Sequence, residues 1–91
     1  MGRATIANTA MTTADTEYSY EIPAGTKRIK FKLRALNALL KYAFISGASG
    51  TTYITIPYGD EEEINDAKLG SQTIYFQSPT ASQTLEIRSW K

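Results

Sequence analysis

Ninety-one residues suffice for one small domain with a modest core. Ten Lys and Arg against nine Asp and Glu leave a formal net charge of +1, so the chain as a whole is no polyanion binder and any electrostatic role must come from local clustering. There is no cysteine and no histidine, which excludes disulfides and thiolate metal sites and removes the side chain that most often moves protons near neutral pH; the expectation is a non-enzymatic protein, with no catalytic residue, cofactor or metal site assigned.

In chain order, the opening stretch to Tyr18 lacks a continuous apolar run, so no targeting signal is expected. Residues 1–16 read as a flexible arm or a short first strand over Thr5 to Asn8, and residues 17–91 as a single β-sandwich domain. Glu17 to Ile22 alternates, with Tyr18, Tyr20 and Ile22 on one face. Pro23-Ala24-Gly25 is a turn, and it predicts an antiparallel hairpin with the strand Lys27 to Arg34, whose Ile29, Phe31 and Leu33 face inward. Leu36 to Phe44 carries both helical and strand spacing. Its neighbours favour a strand from about Leu39 to Ser46, and its Asn37 and Lys41 exclude a membrane span. Gly47 to Gly50 is a hairpin turn without the lysine of a phosphate-binding loop. Thr51 to Ile56 is a β-branched strand, and Pro57 to Asp60 turns the chain. Glu61 to Asn65 is a short acidic edge strand, and Gln72 to Gln77 places Ile74 and Phe76 on one side. After a turn at Ser78 to Ala81, Thr84 to Trp90 closes the chain, with Trp90 read as a core plug or an interface anchor. Seven or eight short strands with regular turns predict an all-β fold: a small antiparallel β-sandwich, jelly-roll-like.

Two charge clusters are candidate interface residues. Arg28, Lys30, Lys32 and Arg34 fall on one face of their strand, about 7 Å apart in succession. Three uses are open: solvating an exposed face, contacting a protein, or following the phosphates of a single-stranded nucleic acid with tyrosines stacking beside it. The near-neutral total and the lack of a second basic cluster weigh against nucleic acid. Asp60, Glu61, Glu62 and Glu63 form the opposite cluster. Consecutive strand residues point to opposite faces, so these carboxylates cannot converge on one calcium ion, and the spacing is not that of an EF-hand. Two readings are open: a solvated loop, or a contact in which this acidic run meets the basic stripe of a neighbouring copy, head to tail.

Five stretches carry a resemblance. They are Ile22-Pro23-Ala24-Gly25-Thr26-Lys27, Lys41-Tyr42-Ala43-Phe44-Ile45-Ser46-Gly47, Ile56-Pro57-Tyr58-Gly59, Thr73-Ile74-Tyr75-Phe76-Gln77-Ser78-Pro79-Thr80-Ala81 and Leu85-Glu86-Ile87-Arg88-Ser89-Trp90. Their order, over roughly Glu21 to Trp90, resembles small all-β virion structural proteins of tailed bacteriophages. The resemblance marks turns and strand ends, not a site. It implies a capsid decoration (cement) protein that stabilises the shell by protein–protein contacts, made in the host cytoplasm and residing in the virion. Its partners would be the major capsid protein or other virion subunits, and the chain itself would form a homo-oligomer, with a trimer favoured. The alternatives are a tail or head-completion component, a single-strand nucleic-acid-binding barrel using Arg28 to Arg34, and a carbohydrate-binding module with exposed aromatic platforms.

Overall fold

A computed structural model describes residues 4–66 and 68–91. It contains eight strands: β1 (Ala4–Met11), β2 (Tyr18–Glu21), β3 (Arg28–Leu33), β4 (Leu40–Ala43), β5 (Ile54–Ile56), β6 (Glu61–Asn65), β7 (Thr73–Gln77) and β8 (Gln83–Trp90). They form two four-stranded antiparallel sheets, ordered β1-β8-β3-β6 and β2-β7-β4-β5. The chain passes from one sheet to the other at nearly every connection, and β4–β5 is the one consecutive pair that shares a sheet. This is the jelly-roll arrangement, the expected fold class.

Alternation builds the core. Ile29, Phe31 and Leu33 of β3 and Leu85 and Ile87 of β8 face Ile74 and Phe76 of β7 and Leu40 and Tyr42 of β4. Each fully buried side chain of this size contributes about 1.5–3 kcal/mol by leaving water. Met11, Ile22, Ala38, Ile56 and Leu69 close the ends of the sandwich. Phe31 and Tyr42 meet edge to face across the layers, ring centroids 5.0 Å apart.

Several expectations need correction. Pro23 to Gly25 does not close a hairpin: β2 pairs with β7 in one sheet, and β3 pairs with β6 and β8 in the other. The turn, with Gly25 at φ +84°, is a corner between sheets. A second corner braces it. Ser71 N donates to Ile22 O and Ile22 N to Gln72 O, and a Cβ on Gly70 would stand only 2.5 Å from Gly25 N. The first strand is longer than Thr5 to Asn8 and pairs along its whole length with β8, so from Ala4 to Met11 the segment is part of the sheet and not an arm; residues 1–3 of the predicted arm lie outside the described residues. The stretch from Leu36 to Phe44 gives the shorter strand β4 and no helix. Trp90 shares the outward face of β8 with Glu86 and Arg88, so it is not a core plug.

Candidate protein-interaction surfaces

The outer face of the β1-β8-β3-β6 sheet gathers the predicted charges. Antiparallel register sets Lys30 opposite Glu63 and Lys32 opposite Glu61 on β6, and Lys32 opposite Glu86 on β8. Arg28 Nε lies 2.9 Å from Glu63 Oε2, and Lys30 Nζ lies 3.4 Å from Glu61 Oε1 and 3.9 Å from Glu63 Oε1. Lys32 Nζ is 3.2 Å from Glu86 Oε1, and Arg34 Nε donates to Glu86 Oε2 at 2.8 Å. The basic stripe and the acidic run therefore meet within one chain. The head-to-tail reading between copies loses its basis, because β6 is the strand beside β3. The same pairing removes a free row of cations that could follow phosphates.

Two of these carboxylates, Glu63 and Glu86, are held in their charged form. The Asn65 side-chain amide, then Arg28 and Lys30, keep Glu63 below the ordinary carboxylate range. Hydrogen bonds from Arg34 and Lys32 do the same for Glu86. At one end of the face, Trp90 lies under two guanidinium groups, with Arg28 Cζ 4.5 Å and Arg88 Cζ 5.0 Å from its ring.

Two of the predicted acidic residues stand apart from this ladder. Asp60 lies in the turn before β6, where its carboxylate accepts the Glu61 N–H at 2.8 Å. Glu62 points inward, and the Tyr42 hydroxyl donates to its Oε2 at 2.5 Å. Burial, then this carboxylate, push the Tyr42 hydroxyl well above its ordinary pKa.

The β4–β5 hairpin has a different character. Phe44, Ile45, Tyr53 and Ile54 are 41, 72, 39 and 55% exposed. With Tyr42, Ala43, Ala48 and Thr52 they line a shallow, mainly apolar groove of about 310 Å³. Several large apolar side chains meeting at one place on a small protein make it a candidate interaction surface. Sequence reading missed it. Ile54 was assigned to a strand, but whether β5 lies at a sheet edge is a matter of topology. Glu86 and Arg88 were missed too, although their alternation with Leu85 and Ile87 would have put them on the outer face.

A carboxylate holds the hairpin loop in shape. Gly47 N and Ser49 N donate to Glu17 at 2.8 and 3.2 Å, and the buried Ser49 hydroxyl donates to the same group. Gln77 Nε2 donates to Ser49 Oγ at 3.2 Å. The Ser49 hydroxyl, against an opposing effect of burial and with help from the two amides, keeps Glu17 below the ordinary carboxylate range. The loop that presents Ile45 is thus fixed to the segment before β2.

No protein family and no curated protein matches the sequence. Among solved structures, the chain is similar to a de novo designed double-stranded β-helix solved by solution NMR. The two share 12% identity, with 98% of this chain and 99% of that one covered, at a TM-score of 0.57. That likeness agrees with the jelly-roll fold and carries nothing about function.

Proposed function

We propose that the chain is a non-enzymatic structural protein of a phage particle, a capsid decoration (cement) protein that binds and stabilises the shell. One observation carries the reading: the cations of the basic stripe are paired within the chain, while an apolar surface at the β4–β5 hairpin is left open on a rigid frame. Such a division suits a protein whose task is to rest on another protein. The order of turns and strand ends from Glu21 to Trp90, similar to that of small phage virion proteins, supplies the setting. A jelly roll with an apolar hairpin contact needs no titrating group to bridge shell subunits.

Co-sedimentation with purified capsids of the phage that encodes the chain tests this. Wild-type protein should travel with the capsids, and Ile45→Glu/Ile54→Glu should reduce retention at least tenfold while the isolated protein keeps its β circular-dichroism spectrum. Retention on tails but not on capsids would move the protein to the tail. Failure to bind any virion part, or full binding by the double variant, would sink the proposal.

A further inference from the structure

The four edge strands of the sandwich are unequal. In the first sheet, β6 is guarded by Glu61 and Glu63 on the outside and Glu62 on the inside. The opposite edge of that sheet is β1, and Ala4–Met11 contains no charged residue and no proline over eight positions. Charge, proline and short length are the usual means by which an edge refuses a partner, and β1 has none of them.

The hydrogen-bonding direction of that edge can be worked out. Arg34 N donates to Thr84 O and Lys27 N to Trp90 O, so the even-numbered residues of β8 turn their carbonyls toward β3. Alternation then turns the odd-numbered residues of β8 toward β1. Their register partners are Thr5, Ala7, Thr9 and Met11, which satisfy β8. Ile6, Asn8 and Ala10 consequently aim their N–H and C=O groups away from the sheet, where no further strand lies among the described residues. Ile6, 72% exposed, stands beside this open row on the outer face.

We infer that β1 pairs antiparallel with β1 of a second copy, joining two four-stranded sheets into one continuous sheet. A second copy is favoured because a twofold axis sets the strand against its own sequence, with residues near the axis meeting their twins or close neighbours. A charged edge would oppose itself there, whereas Ala, Thr, Ile and Asn do not. Side chains must stay on their own faces across the seam, so the register is centred on a residue. Centring on Ala7 sets Ile6 against the partner's Asn8 and Thr5 against the partner's Thr9, and forms about eight new hydrogen bonds. In this register the seven residues from Ala4 to Ala10 make a seam about 24 Å long. A seam of one strand falls short of the roughly 800 Å² per partner of a standard interface, so the pair should dissociate in the micromolar range. This inference stands apart from the phage assignment. It replaces the trimer expected from sequence with a twofold unit.

Sedimentation equilibrium from micromolar to millimolar concentration tests it on the full chain. Wild type should pass from monomer to dimer. Asn8→Pro removes an outward N–H without touching the β1–β8 ladder and should weaken the dimer at least tenfold with an unchanged β spectrum. Ile6→Lys, which adds like charges near the axis, should do the same and decides the matter if the proline variant unfolds. Because the chain has no cysteine, oxidation of Ala7→Cys should yield a single covalent dimer. A wild type that stays monomeric at millimolar concentration, a trimer, or a dimer indifferent to both Asn8→Pro and Ile6→Lys would overturn the seam.

Discussion

Strands β5 and β6 are neighbours in the chain, joined by the turn from Pro57 to Asp60, and each forms an edge of its sheet. They treat that position in opposite ways. On β6 every outward position is polar, and Glu61 and Glu63 find cations one strand away. On β5 and its hairpin the exposed positions are Ile54, Tyr53, Phe44 and Ile45. The first edge satisfies itself and the second does not. Charge on a small domain can therefore be conspicuous in sequence yet consumed internally, while the surface left open is apolar and inconspicuous.

Tyr42 belongs to both regions, so it offers the strongest way to break the contrast. Its ring meets Phe31 in the core and Phe44 in the hairpin, with centroids 5.0 and 5.9 Å away, and its hydroxyl anchors Glu62 of β6. Tyr42→Ala should cost about 3–5 kcal/mol in denaturant titration and loosen both edges together. Tyr42→Phe keeps the ring and leaves Glu62 without its donor, at about 1–2 kcal/mol. The pH dependence gives a second reading. The folded state holds the Tyr42 proton more tightly than the unfolded chain, so this contribution is complete below the ordinary value of 10.0 and is lost as pH rises through the higher folded value. Wild type should lose stability above about pH 10, and Tyr42→Phe should flatten that limb.

The hairpin can be altered by itself through Glu17. Glu17→Gln keeps the shape but weakens the acceptor for Gly47 N, Ser49 N and the buried Ser49 hydroxyl. A loss of about 1–2 kcal/mol at neutral pH is expected. Faster amide exchange should appear at Gly47 and Ser49, while β6 stays as protected as before. Because Glu17 has a depressed pKa in the fold, its contribution is complete above the ordinary carboxylate value and disappears as pH falls through the lower folded one. Variant and wild type should converge in acid. If exchange in the hairpin loop does not change, Glu17 is not its anchor.

What was legible in the sequence follows from what alternation can encode. Period-two spacing named Ile29, Phe31, Leu33, Ile74, Phe76, Leu85 and Ile87 as one interior, and all seven are buried. The turns at Pro23, Pro57 and Ser78 were legible because their residues favour reversal. Where each turn leads was not. The same Pro-Ala-Gly chemistry closes a hairpin or rounds a corner, and the choice here rests on distant partners: β7 for β2, and β6 and β8 for β3. The charged stripe was read correctly as a face, but its counter-ions depend on that same long-range order. Ile54 and Ile45 could not be recognised as a surface until β5 was known to be an edge.

The smallest effects belong to the ion-pair ladder. Its groups lie at the surface, where screening and side-chain entropy leave exposed pairs with little net value. At 1 M salt the Debye length is about 3 Å, so high salt should lower the melting temperature only slightly, and less so in Glu86→Gln. Reversal is the sharper probe. With Lys at positions 61 and 63, Lys32 and Lys30 each face a like charge directly across the β3–β6 pair. Had the acidic run served another copy, this double reversal would alter the oligomeric state and spare the monomer's stability. With both partners in one chain, the expected outcome is a lower melting temperature and faster amide exchange in β6, at unchanged oligomeric state and with the β4–β5 hairpin unaffected. Loss of assembly without loss of stability would instead mean that Glu61 and Glu63 act between copies, and the contrast between the two edges would fail.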